Sequence, residues 1–263
     1  MGKRGSDHIY RIDVTNEPLL ARVFQSGEPW VVLCSKPDDI MPDVFSKASK
    51  RLADKSFAGV IDCTQQLPAS GKTVLARFGI KKSISPTVFT VANGEKPKQT
   101  SKALAKHVME QTKKTAVEVL NSAQLDAKCL QKAECVLLLR GAKWKPYERQ
   151  WIDRLLEEHR KVAFAWLDAS AFKLSIEASL PKAKPGEHRL VLFKKQRDAA
   201  AKKKTTVTAK AFRNAFELLP VRQFLEEALP SDLTPLAKAP TLSRRKTAPK
   251  AQPKDSNDAA PRE

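Results

Sequence analysis

The sequence is poor in the residues from which most catalytic and metal sites are built. Its four histidines, His8, His107, His159 and His188, are scattered singly. Its four cysteines are Cys34, Cys63, Cys129 and Cys135, and the Cys129-x5-Cys135 spacing is not a usual zinc spacing. No Cys or His pair elsewhere completes such a site, so no metal is expected. Cys34, Cys63 and Cys135 lie in apolar runs and read as small core residues. A serine nucleophile has no Gly-x-Ser-x-Gly elbow. Ser70-Gly71-Lys72-Thr73 has the end of a phosphate loop, but Gln66 stands where that loop needs its first glycine. No run is long and apolar enough for a membrane helix, and Met1 to Asp7 lacks the apolar core of a signal peptide.

Acidic residues are also scarce. There are 29 Asp and Glu against 48 Lys and Arg, a net charge of +19. A polyanion, an acidic protein surface or an anionic membrane suits such a chain, and solvated lysine faces are the plain alternative. The hydrophobic fraction, 41% of 263 residues, is enough for one or two real cores.

The organising stretch runs from Pro29 to Gly94. Trp30 to Ser35 is a continuous apolar run, as in a strand covered on both faces. An amphipathic segment follows to Leu52, with Val44, Phe45, Ala48 and Leu52 as its inward stripe. Phe57 to Cys63 reads as a second central strand, Ser70 to Phe78 as a helix, and Val88 to Val91 as a third strand. Strand, helix, strand, helix, strand implies a parallel sheet with right-handed crossovers. Upstream, Ile9 to Val14 alternates as a first strand, and Asn16 caps a helix with Pro18 in its first turn. Downstream, Asn93-Gly94 signals a hairpin leading to an edge strand near Pro97 to Thr100. Ser101 then caps a helix with Leu104, Ala105, Val108 and Met109 on its apolar side.

In its details this stretch resembles the thioredoxin-like domains of protein disulfide isomerases. The resemblance rests on Pro29-Trp30-Val31-Val32, Val60-Ile61-Asp62-Cys63-Thr64, Phe78-Gly79-Ile80, and Pro86-Thr87 leading to Asn93-Gly94. The redox-active family carries Cys-x-x-Cys after the first of these strands. Here Pro37-Asp38-Asp39-Ile40-Met41-Pro42 is short and has no cysteine. The resemblance therefore implies the fold without thiol–disulfide chemistry. It also implies a cis Ser85-Pro86 bond beside a peptide-binding edge, and a strand-end carboxylate, Asp62 or Asp168, whose proton-shuttling role lapses without thiols.

From Val117 the order of elements repeats. Cys135 to Gly141 and Val162 to Asp168 read as strands around a helix from Tyr147 to His159. A helical turn over Leu174 to Leu180, strands over His188 to Phe193 and Thr205 to Thr208 (the latter at an edge), and a helix over Pro220 to Leu229 complete the unit. The expected fold class is α/β: two tandem thioredoxin-like domains, each a central mixed sheet flanked by helices. Their expected limits are 8–116 and 117–230, with a disordered basic tail over 231–263.

The expected function is a non-catalytic protein-binding or scaffold module related to chaperones. Disulfide isomerases and some J-domain co-chaperones use such modules, although no His-Pro-Asp signature is present. Candidate protein-binding residues are Cys34, Pro37, Asp38, Asp39, Ser85, Pro86 and Thr87, with the equivalent face around Gly141 to Pro146. A rival reading is RNA or ribosome association through a lysine-rich hairpin tip over 194–204 and the tail. Its candidates are Lys194, Lys195, Arg197, Lys202, Lys203, Lys204, Arg244, Arg245 and Lys246. These segments hold no aromatics for base stacking. No catalytic residue or cofactor is expected. Expected partners are protein or peptide clients, and the expected location is the cytoplasm or an organelle interior, the endoplasmic reticulum if the chain belongs to a longer targeted protein.

Overall fold

The computed structural model describes residues 9–36, 38–81, 86–100, 104–197 and 205–245. The first unit begins with β1 (Ile9–Ile12), α1 (Glu17–Gln25) and β2 (Trp30–Cys34), followed by α2 (Asp43–Leu52) and β3 (Phe57–Ile61). It continues through α3 (Val74–Phe78), β4 (Val88–Val91), β5 (Lys98–Thr100) and α4 (Leu104–Thr112). Its sheet order is β1-β3-β2-β4-β5. β1 and β2 run parallel to β3, and β4 and β5 are antiparallel additions.

Strand alternation sorts the core into two layers. Trp30 and Val32 face one side with Ile61 and Phe89, under Val23 of α1 and Val74 of α3. Val31 and Leu33 face the other side, under Phe45, Ala48 and Leu52 of α2 and Leu104 and Val108 of α4. The α1 start follows its sequence signal, since Asn16 Oδ1 accepts the Leu19 amide at 3.0 Å. Three expectations are corrected here. Val44 lies one position off the α2 stripe and is exposed, Met109 is likewise exposed, and α3 is confined to Val74–Phe78 because residues 67–73 form turns bridged between Gln66 and Thr73.

The second unit has β6 (Val117–Glu118), α5 (Ser122–Leu125) running into a π-helical turn (Asp126–Leu130), β7 (Glu134–Arg140), α6 (Pro146–Glu158) and β8 (Ala163–Asp168). Then come β9 (Phe172–Leu174), β10 (Arg189–Arg197), β11 (Thr205–Ala211), α7 (Leu218–Ala228), β12 (Thr234–Pro235) and β13 (Leu242–Arg244). The sheet order is β12-β11-β10-β7-β8-β6. With β12 set aside, strand order and direction repeat the first sheet. α6 and α7 cover one face through Trp151, Leu155, Val221 and Leu225. The other face packs under the π-helical turn, β9 and Leu242.

The helical turn expected over 174–180 is present as a 3-10 turn at Glu177–Ser179, with Leu174 ending β9. Three further expectations are corrected in this unit. Thr205 to Thr208 is not an edge, because β12 pairs beyond it at Thr208 and Ala209. Lys194 and Lys195 belong to the β10 ladder rather than a projecting tip. Residues 231–245 are ordered rather than a loose tail: Leu233 is buried, and β13 pairs with β9. Ser122 Oγ exchanges hydrogen bonds with the Leu242 backbone at 2.9 and 3.1 Å, which pins this strap to α5. A three-residue strand in a Pro- and Lys-rich segment carries no periodic signal, so composition concealed it.

The two units meet at the turn after α6. The Arg160 guanidinium is mostly buried and donates to Asn93 Oδ1 and to the Thr112 carbonyl, each at 2.9 Å. Lys114 Nζ returns a bond to the Arg160 carbonyl at 2.8 Å, and burial lowers its pKa to about 8. Asn93 and Gly94 adopt left-handed φ of 59° and 67°, and a Cβ on Gly94 stands 3.7 Å from Lys161 Cα, so the hairpin tip itself is the docking surface. Replacing Arg160 by Ala removes both bonds that the guanidinium donates to the first unit. We expect a loss of about 2–4 kcal/mol of coupling between the units. Thermal unfolding followed by calorimetry then splits into two steps where the unchanged chain shows one.

Candidate functional site

The first unit has a groove at the carboxyl ends of its parallel strands. α4 packs toward β4 and β5, which leaves the β1 side of α2 uncovered. The resulting cavity is about 740 Å³, lined by Ile12, Leu33, Ser35, Met41, Ser49 and Asp62 among others. The short loop after β2 forms its rim. Asp39 closes that loop, accepting the Lys36 amide at 2.8 Å and the Ser35 hydroxyl at 3.4 Å. The Cys34 amide donates to the Thr87 carbonyl at 2.9 Å, so two of the expected binding residues do meet. Asp38 and Asp39 are exposed, Pro86 is half-buried and Thr87 is buried. Pro37, Ser85 and the Ser85-Pro86 bond lie outside the described residues.

Beside this groove the chain exposes a cluster of apolar side chains that periodicity did not reveal. Ile40 is 94% exposed, Val44 53% and Met41 37%. Exposed apolar residues are ordinary when scattered, but these three fall within five positions, and Met41 lines the cavity itself.

The strand-end carboxylates are engaged in turns. Asp62 Oδ1 accepts the Thr64 hydroxyl at 2.6 Å and the Thr64 amide at 2.9 Å, and these bonds hold its pKa below the ordinary 3.8. Asp13 does the same with Thr15, and Asp168 with Ser170. For Asp168, burial raises the pKa, but the bonds from Ser170 and from Arg140 at 2.8 Å outweigh it. Each Asp-x-Ser/Thr thus closes the turn that ends β1, β3 or β8.

Cys63 and Cys135 are buried as expected, Cys34 is half-buried and Cys129 is buried as well, but none of the four is a free thiol. Cys34 is joined to Cys63 and Cys129 to Cys135. The first bridge follows from the parallel register, which sets Cys34 opposite Ile61 and so within reach of Cys63. The two cysteines are 29 positions apart and no local motif links them.

The β7–α6–β8 crossover of the second unit matches β2–α2–β3. Its loop over 141–145 is held from below. Gly141 N–H donates to His188 Nδ1 at 3.1 Å, and His188 Nε2 faces Glu148 Oε2 at 3.4 Å. Glu148 also accepts the Lys145 amide at 2.7 Å, which caps α6. A Cβ on residue 141 lies 2.1 Å from the Glu187 carbonyl, so the close approach admits only glycine without a shift. Trp144 packs against His188 with ring centres 4.3 Å apart, and Phe216 stacks at 6.0 Å from Trp144.

Burial pushes the His188 imidazole below its ordinary 6.5, against the pull of Glu148. The unfolded chain therefore takes up a proton that the folded one resists as pH falls below 6.5. The corresponding stability is present above that value and is lost as pH falls through the lower folded value. His159 is lowered by burial as well. His188→Gln is thus expected to flatten part, not all, of the stability loss seen by urea unfolding between about pH 7.5 and about pH 5.

Both sheets share one strand order, one pattern of directions and one βαβ crossover at the same place. The fold is thioredoxin-like. No protein-family model matches the chain, and neither does any curated protein sequence. Similar solved structures include ERdj5, 14% identical over 86% of this chain and 30% of that one, with a TM-score of 0.31. Zinc-bound human ERp44 is 13% identical over 83% and 59%, with a TM-score of 0.34. The bb fragment of ERp72 is 11% identical over 88% and 100%, with a TM-score of 0.33. The chain thus spans about a third of ERdj5 and somewhat over half of ERp44. The fold assignment rests on the strand order and directions, not on these scores.

Several of the expected polyanion-binding residues are engaged within the fold. Lys194 Nζ donates to the Leu229 and Ser231 carbonyls and lies 3.7 Å from Glu134. Lys195 donates to Gln131 at 2.7 Å. Arg245 donates to the Ala169 and Phe172 carbonyls and pairs with Glu177, while Arg244 lies 5.7 Å from the Phe172 ring centre. The Arg197 side chain, Lys202, Lys203, Lys204 and Lys246 lie outside the described residues.

Proposed function

We propose that the chain is a non-catalytic protein-binding scaffold that holds extended, apolar client segments at the first unit's groove. The observation that carries the reading is the exposed run of Ile40, Met41 and Val44, of which Met41 lines the cavity of about 740 Å³. An apolar side chain of a client covers the patch, while Ser35, Lys36 and Asp39 at the rim are placed for its backbone. The absence of Cys-x-x-Cys and the use of strand-end carboxylates as turn caps support a role without thiol chemistry. Two disulfides that use all four cysteines support an oxidising compartment such as the endoplasmic reticulum lumen. The test is fluorescence anisotropy of a labelled, extended apolar peptide titrated with the intact chain and with an Ile40→Asp/Val44→Asp variant. Saturable binding that the variant loses supports the reading, and equal binding by both contradicts it.

A further inference from the structure

The second unit has its own cavity at the corresponding crossover, and its chemistry is different. It is about 530 Å³, bounded by residues 142–148, 181–189 and 212–216. Exposed Lys143, Lys182 and Arg213 line it from three separate segments, and among the described residues none of them forms an ion pair. Lys145 adds a fourth cation, 5.7 Å from the Tyr147 ring centre. The carboxylates present are already engaged: Glu148 with His188 and the Lys145 amide, and Glu187 with the Lys184 amide at 2.8 Å. The remaining cation, Arg189, is neutralised by Glu177 at 2.8 Å. Its lining holds five cations, Lys143, Lys145, Lys182, Arg189 and Arg213, against two carboxylates, Glu148 and Glu187, so even with Arg189 neutralised from outside by Glu177 the concave site is net positive and complementary to an anionic ligand.

We infer that this groove is a docking site for an acidic peptide segment, distinct from the apolar site of the first unit. His188 and Phe216, which line the cavity, pack against each other and against Trp144, so these rings are not the free platforms on which single-stranded nucleic acid stacks its bases. Carboxylates on alternate peptide residues match cations held on separate loops. The buried Glu148–His188 pair and the close approach at Gly141 preorganise the Lys143–Lys145 loop, which limits the entropy lost on binding. The inference rests on the scaffold reading only for the class of partner, a protein, and not for the first groove.

The test uses a fluorescein-labelled oligoglutamate peptide, with anisotropy and tryptophan fluorescence read on the intact chain. Binding that weakens with salt is expected, with affinity reduced by at least about tenfold in a Lys143→Glu/Lys182→Glu/Arg213→Glu variant. These three side chains are exposed and unpaired, so the variant should fold, and its retained binding of the apolar peptide checks that it has. A Trp144→Phe variant should lose most of the fluorescence response while still binding. Undetectable oligoglutamate binding at low salt, or equal binding by the charge-reversed variant, overturns the inference. So does oligouridylate of equal charge binding as tightly and losing as much, which makes the surface a general polyanion patch. If apolar binding persists while oligoglutamate fails, only this inference falls. If oligoglutamate binds as expected while Ile40 and Val44 prove irrelevant, only the first site falls.

Discussion

Reduction of the protein lowers the stability of its first unit by about 3–4 kcal/mol, the entropy expected for releasing a bridge between residues 29 apart. The same treatment costs the second unit about 2 kcal/mol, because Cys129 and Cys135 are only six positions apart. The asymmetry is the useful part of the prediction. Cys34–Cys63 ties the end of β2 to the chain after β3, so it restrains the rim of the groove and the turn that Asp62 closes. Cys129–Cys135 only fastens the π-helical turn to the strand that follows it. Urea unfolding with and without reductant reads the total, and a Cys34→Ala/Cys63→Ala variant assigns the larger share. An unchanged midpoint in that variant would show that the bridge contributes nothing to the fold.

The Ile40→Asp/Val44→Asp variant is expected to lose about 30- to 1,000-fold in apolar-peptide affinity, from about 2–4 kcal/mol of apolar contact. Its stability should stay within about 0.5 kcal/mol of the unchanged chain, since neither side chain is part of the core. Val44 lies in the first turn of α2, where an aspartate is favoured by the helix dipole. Affinity and stability are thereby separated. A core substitution such as Phe45→Ala, one position away but fully buried, costs about 3–5 kcal/mol of stability instead.

The sequence reveals the frame of this protein more readily than its surfaces. Apolar runs such as Val31–Leu33 and Leu137–Leu139 announce strands buried on both faces, and Asn16 announces a helix start, because these signals are local. The disulfides are not local. Cys34 and Cys63 become neighbours only through a parallel register that the sheet creates. β13 is three residues long, and its pairing with β9 joins positions about 70 apart, such as Ser243 and Lys173. The Ile40–Val44 patch escapes a periodicity reading for the opposite reason. Val44 is next to the buried stripe, and only packing decides that Phe45, Ala48 and Leu52 turn inward while Val44 does not. The basic residues mislead similarly, since charge in the sequence does not show that Lys194 and Arg245 are committed to backbone carbonyls. Lys143, Lys182 and Arg213 lie far apart in the chain, and only the fold gathers them around one cavity.

The central claim is that a client sits at the carboxyl ends of β2 and β3, over the loop that replaces a thiol pair. Hydrogen exchange followed by mass spectrometry, on the intact chain with and without saturating apolar peptide, tests it most directly. The account predicts new protection in peptides spanning residues 35–50, with β7 and α6 unchanged. Protection confined to the second unit, or none anywhere at saturation, contradicts it.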